Sequence, residues 1–138
     1  LAESLKCIRA RGLENLWQHY ARLAHATRAG MQALGLAILP QQPSDALTAI
    51  TAPHGIDGKE LVKILREQHG LIVAGGQGQL KGKIMRVTHM GDYDHLDMIA
   101  MLAALELTLQ ELGWKFECGA GLAAMQRAYH EFQPEFIR

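Results

Sequence analysis

The sequence predicts an α+β fold: a two-layer domain in which a three- or four-stranded, mainly antiparallel sheet is covered by helices. Three observations predict it. Apolar residues recur at helical spacing in several long segments, whereas the apolar runs between those segments are short. The link Gly75–Lys83, between the last two such runs, is too short for a crossover helix and suits a hairpin. A chain of 138 residues, 49% hydrophobic and 20% charged, is expected to be a single domain (1–138) with its own core.

The elements follow in order. Residues 13–34 set Leu16, Trp17, Tyr20, Leu23, Ala24, Thr27, Met31 and Leu34 on a helical stripe, with Arg22, Arg28 and Gln32 between them and Gly35 as the stop. Leu36–Leu39 is a short apolar run closed by Pro40, and Gln41–Asp45 reads as a turn. Ala46–Ala52 has strand character, ended by Pro53. Asp57 and Glu60 have capping-box spacing; the helix they open buries Leu61, Ile64 and Leu65 and stops at Gly70. Leu71–Ala74 reads as a strand of buried type and Ile84–Thr88 as the next. Asp92 is the expected N-cap of a long helix over 93–112, with Leu96, Ile99, Ala100, Ala103 and Leu107 inward and Gly113 past its end. A last helix is expected from about Gly119 to Phe132.

Composition removes several function classes. Lys plus Arg equals Asp plus Glu, 14 of each, which argues against nucleic acid and against a polybasic membrane anchor. No apolar run approaches the roughly 20 residues of a membrane span. Cys7 and Cys118 stand in no pairing pattern, so reduced thiols and a cytoplasmic setting are expected. The opening Leu-Ala-Glu-Ser has neither a methionine nor the features of a signal peptide, and suggests a piece of something longer.

The chemistry concentrates in Gly75–Gly91. The glycine-dense segment Gly75-Gly76-Gln77-Gly78 runs through Gly82-Lys83 into a strand that carries one arginine, Arg86. The P-loop pattern fails, because Gln77 holds the upstream glycine position and Ile84 follows the lysine. The dinucleotide fingerprint fails too, with Lys81 at its third glycine and a strand rather than a helix to follow. A wide hairpin turn and a ligand-facing loop both remain open. Alternation puts Ile84, Arg86 and Thr88 on one face of the strand and Met85, Val87 and His89 on the other. The guanidinium fork suits a carboxylate. A structural salt bridge within the domain and a bound carboxylate both fit the residue pattern. His89, Asp92, Asp94, His95 and Asp97 match no zinc motif, and the aspartates suit a helix N-terminus, so no metal site is expected. His19 and His25 are six apart and do not share a helical face. Neither cysteine has a base beside it in a recognisable pattern, and no G-x-S-x-G elbow is present. No catalytic residue is assigned.

Taken together, Gly75-Gly76-Gln77-Gly78, Gly82-Lys83-Ile84-Met85-Arg86-Val87-Thr88-His89-Met90-Gly91 and the helix beyond Asp92 resemble the C-terminal small domain of class V aminotransferases. The resemblance is to the alanine–glyoxylate and serine–glyoxylate (serine–pyruvate) branch, which includes proteins called soluble hydrogenase small subunits. Thr51-Ala52-Pro53-His54-Gly55-Ile56-Asp57-Gly58 is similar to the strand-to-helix step of that family, and the likeness covers roughly residues 13–113.

The resemblance implies a fold type I enzyme, dimeric and dependent on pyridoxal 5'-phosphate (PLP), with a large cofactor domain and a small C-terminal one. It implies that Arg86 grips the α-carboxylate of a small amino or keto acid, with Gly75, Gly76 and nearby backbone lining the cleft. None of Lys6, Lys59, Lys63, Lys81, Lys83 or Lys115 stands in the Schiff-base motif of the family. The chain alone is therefore expected to bind no cofactor and to be inactive, its large PLP domain absent. A homo-oligomer is expected, with Trp17, Tyr20 and Leu23 contributing apolar surface. The alternative is a stand-alone, non-catalytic binding or assembly module on the same scaffold, and a weaker one is a regulatory amino-acid-binding domain. Residues 118–138 extend past the resemblance.

Overall fold

The computed structural model describes residues 1–133. Helix α1 (Ala2–Arg11) and helix α2 (Leu13–Ala33) are followed by strand β1 (Leu47–Thr51), helix α3 (Gly58–His69), strand β2 (Ala74–Gly75) and strand β3 (Ile84–Thr88). Helices α4 (His95–Glu111) and α5 (Ala120–Glu131) complete the chain. The sheet has three strands in the order β1-β3-β2, both pairings antiparallel. The last strand is thus the central one. Its register sets Arg86 opposite Ala49 on one side and Ala74 on the other.

Several expectations are corrected. The run Leu36–Leu39 makes only an isolated bridge, Ile38 to Ile50, alongside β1. Of Leu71–Ala74, only Ala74 pairs; the three residues before it lack ladder partners, and Ile72 is 87% exposed. Asp57 caps α3 through the Lys59 amide alone, rather than through the reciprocal bonds with Glu60 that the expected capping box would make. The full box lies elsewhere. Asp94, not Asp92, caps α4: its carboxylate accepts from the Leu96 and Asp97 amides while Asp97 accepts from the Asp94 amide. Helix α1, which the sequence reading left unassigned, buries none of its residues.

The core lies between the sheet and the helices, built from Leu23, Met31, Ile50, Leu61, Leu65, Met85, Leu102, Leu105, Leu109 and Met125. Helix α4 is apolar nearly all round, so its periodicity alone did not say which face turns in. The expected inward positions Leu96 and Leu107 are 68% and 56% exposed; Met98, Met101, Leu102, Leu105 and Leu109 are inward instead. On α2, Leu23 is fully buried while Trp17 is 55% exposed. Helices α2 and α5 approach closely because two glycines face each other. A Cβ on Gly30 would stand 2.5 Å from Leu102 Cδ2 and 3.0 Å from the Gly121 carbonyl.

One buried acid ties α4 to α5. Glu106, 5% exposed, accepts hydrogen bonds from the Gly119 and Leu122 amides at 2.7 and 3.2 Å, satisfying orphan donors at the start of α5. Its negative charge also suits the helix N-terminus. Trp114 Nε1 donates to the Leu34 carbonyl at 2.8 Å and fastens the end of α4 to the end of α2. Replacing Glu106 by alanine is expected to lower the unfolding free energy by about 3 kcal/mol, since two charge-assisted bonds vanish and their donors stay buried. Urea titration measures this; a loss under about 0.5 kcal/mol would contradict the role.

Candidate functional site

The centre of β3 assembles the site. Met85 and Val87 belong to the core, so Arg86, between them, stands on the opposite face of the sheet, away from the helices. Its cross-strand neighbours on that face are Ala49 and Ala74, each no more than a methyl group. Arg86 is half-buried. Its Nε and Nη2 donate to one acceptor, the Gly75 carbonyl, at 3.2 and 2.9 Å.

This arrangement bears on the two uses left open for the arginine. Among the described residues, no carboxylate oxygen lies within the 4.0 Å of an ion pair with Arg86. The internal salt bridge is not found there; a backbone carbonyl takes its place. Gly75 and Arg86, eleven residues apart in sequence, meet directly. Gly76 follows, with its backbone packed on the carbonyl of Leu80 at the end of a short 3-10 turn, Gly78–Leu80. The Gly82 carbonyl accepts from the Gly58 amide at 2.9 Å, and the Lys83 carbonyl accepts from the Ala52 amide at 2.8 Å. These bonds anchor the glycine loop to the start of α3 and the end of β1.

On the core side of the same strand end, His89 is fully buried and shares a 2.8 Å hydrogen bond with Thr48 through Nε2. Its Nδ1 has no partner among the described residues. An unpaired ring nitrogen is less costly as a bare acceptor than as a donor, which favours the tautomer with the proton on Nε2. Burial, reinforced by Arg28 and partly opposed by Asp45, lowers the His89 pKa from 6.5 to about 4. The ring is therefore neutral and structural. Sequence reasoning noted His89 only within an acidic cluster, yet alternation had already put it on the face of Met85 and Val87.

The other histidines and acids serve neighbouring contacts. His19 Nε2 bonds the Tyr93 carbonyl at 2.9 Å, and His25 packs on Phe132. His95 stacks on Tyr129 at 3.9 Å, with the Arg22 guanidinium over the Tyr129 ring at the same distance. A cleft of about 470 Å³ opens between the helix pair α1–α2 and the loop before α4, lined by Arg11, Asn15, His19, Asp92, Tyr93 and Asp94. It is bridged by an exposed Arg11–Asp92 ion pair. Sequence analysis did not foresee this cleft, because its walls come from segments some eighty residues apart. Among the described residues no group of three His, Cys, Asp or Glu side chains converges as a metal site.

No family model matches the chain. Individual proteins do. It is 39% identical over 130 residues to a soluble hydrogenase small subunit from Synechococcus, covering 92% of this chain and 34% of that one. It is 36% identical over 127 residues to a serine–glyoxylate aminotransferase from Methylorubrum extorquens, covering 90% of this chain and 32% of that enzyme. The crystal structure of ureidoglycine–glyoxylate aminotransferase from Bacillus subtilis superposes with a TM-score of 0.89 at 29% identity, over 94% of this chain and 34% of that one. The chain thus spans about a third of the length of the proteins it matches.

His89 gives the site a pH signature. Its folded pKa lies below the unfolded value, so the unfolded state binds more protons between about 4 and 6.5. Stability is expected to be full above pH 6.5 and to fall as pH drops toward 4, by up to about 3 kcal/mol from this residue. The lowered pKa of His95 acts in the same direction. Denaturant melts across that range, on wild type and His89→Gln, measure the slope. The variant should lose about one proton of pH dependence; identical slopes would refute the assignment.

Proposed function

We propose that this chain, which belongs to the class V aminotransferase family as a counterpart of its C-terminal small domain, supplies the substrate-carboxylate grip of a transaminase acting on small amino acids and glyoxylate or pyruvate. The observation that carries the reading is the state of Arg86. It is half-buried at the middle of the central strand, with alanines on both flanks, no acid in range among the described residues, and part of its guanidinium uncommitted. Such a fork is completed by an external carboxylate. Gly75 and Gly76 line the cleft beside it.

The chemistry of Arg86 is orientation. Held by two parallel hydrogen bonds, a substrate carboxylate loses its rotational freedom, and the bond from Cα to its hydrogen is set in a fixed direction. PLP, when bound to such an enzyme, supplies the electron sink for breaking that bond. The residues here do not fit a PLP site by themselves. All six lysines are exposed, so none is in the desolvated setting that makes a lysine a good amine nucleophile. The cofactor is assigned to a separate large domain, for which the relatives, about three times as long, have room.

The working protein is a cytoplasmic homo-oligomer in this reading. Support comes from apolar side chains without cover: Trp17, Leu96 and Leu107 are each more than half exposed, surface of the kind a partner covers. Leu23, buried in the core, contributes nothing to it.

In a full-length, cofactor-bearing protein with this segment, Arg86→Lys is expected to raise the apparent KM for amino donor and keto acceptor about tenfold or more, because a lysine cannot make the paired contact. Cofactor absorbance should be unchanged. Steady-state kinetics equal to wild type would sink the proposal and favour a non-catalytic module. The chain alone, mixed with PLP, L-alanine and glyoxylate, is expected to form no glycine; measurable glycine by amino-acid analysis would overturn the division of labour between domains.

A further inference from the structure

A guanidinium carries five N–H donors in one plane. In Arg86 two of them, on Nε and Nη2, converge on the Gly75 carbonyl at 3.2 and 2.9 Å. That edge is closed. Five less two leaves three donors: one on Nη1 and one on Nη2 lie parallel and form the end-on fork that matches the two oxygens of one carboxylate, while the other Nη1 hydrogen points back toward the Cδ side.

Two things hold the Gly75 backbone in place: its pairing with Met85 in the β2–β3 ladder and the close fit of the residue after it. A Cβ on Gly76 would stand 1.9 Å from the Leu80 carbonyl oxygen and 2.9 Å from Ile84 Cγ1. The first of these is a clash with main chain, which no rotamer change relieves. A Cβ on Gly75 would meet nothing nearer than Val62 Cγ2, at 4.0 Å. The need for glycine therefore lies at position 76, although the bond to Arg86 is made by residue 75. The turn is also fixed from behind, where the Leu80 carbonyl accepts from the Lys83 amide at 3.0 Å and the Gly78 carbonyl from Lys81 at 3.2 Å.

We infer that Gly76 is a positioning residue for Arg86: its bare backbone, wedged against Leu80, keeps the Gly75 carbonyl on the Nε–Nη2 edge, so that the guanidinium receives one carboxylate end-on through Nη1 and Nη2. The ligand half of this statement rests on reading Arg86 as a carboxylate grip; the positioning half does not. The consequence for recognition is that Arg86 keeps one bidentate edge for a carboxylate rather than two.

Arginine side-chain NMR on the full chain tests both halves separately. The Arg86 Nε–H signal, assigned by its loss in Arg86→Lys, is expected to exchange with solvent about tenfold more slowly than those of the exposed Arg9 and Arg127, as a net hydrogen bond of ordinary strength would give. In Gly76→Ala that protection should fall to the level of Arg9, and in Gly75→Ala it should persist. Adding sodium glyoxylate, or acetate as a plain carboxylate, should shift the Nη signals and leave Nε protected. Wild-type exchange as fast as Arg9, or undiminished protection in a folded Gly76→Ala, would overturn the positioning role. If Gly76→Ala does not fold, the wild-type rate and the Gly75→Ala comparison still decide it. Loss of Nε protection on adding carboxylate would overturn the end-on geometry. A protected Nε with no response to either carboxylate would leave the positioning intact and count against the ligand reading alone.

Discussion

A positive charge in the middle strand of a sheet has to be met by an acceptor within reach, and in this domain the acceptor is one backbone carbonyl. The Arg86–Gly75 contact joins the central strand to an edge strand of only two residues. Leaving a half-buried guanidinium without partners would be unfavourable. A carbonyl offsets part of that cost without neutralising the charge, as an aspartate or glutamate would. The charge therefore stays unneutralised within the described residues. The glycine loop is shaped by this demand, since its backbone must reach the arginine and then turn at once into the 3-10 segment that leads back to β3.

The helical layer makes that sheet rigid enough for the contact to matter. Met85 and Val87 pack into the core on either side of Arg86, so the strand cannot slip by one residue without turning the arginine inward and a core side chain out. Thr48 and His89 lock the far end of the β1–β3 pair from the core side. Beneath, α2 and α5 meet through Gly30 and Gly121, and Glu106 and Trp114 tie α4 to its neighbours with bonds to backbone groups. Each of the hydrogen bonds among these links satisfies a polar group that packing partly removes from water.

The open side of the domain is as informative as the closed one. The sheet face that carries Arg86 lies opposite the core, and α4 presents Leu96 and Leu107 outward even though it is apolar nearly all round. A helix of that character is normally covered on both sides. The charged cleft at Arg11, His19 and Asp92 lies elsewhere, against the loop that enters α4.

Much of this was legible in the residues. The α+β class, the long helix ending before Gly35, the strand at Ile84–Thr88 and the prominence of Arg86 followed from local signals: period, glycine stops and a lone cation among apolar neighbours. The glycines at 75 and 76 stood out in the sequence, but what their backbone meets was invisible there, because the Gly75 carbonyl reaches an arginine eleven residues away and Gly76 lies against the Leu80 carbonyl. Asp92 was expected as the cap that Asp94 provides, Leu71–Ala74 as a buried strand, and Leu96 and Leu107 as inward positions of α4. The buried face of α4 and the pairing of Leu71–Ala74 depend on packing against distant segments, whereas the Asp94 cap is settled locally by its reciprocal bonds with Asp97. Sequence by itself determined which residues must be helical, extended or turning, since those preferences are local. Tertiary structure alone decided which face is buried and what Arg86 touches, because burial and hydrogen-bond partners are properties of the whole chain brought together.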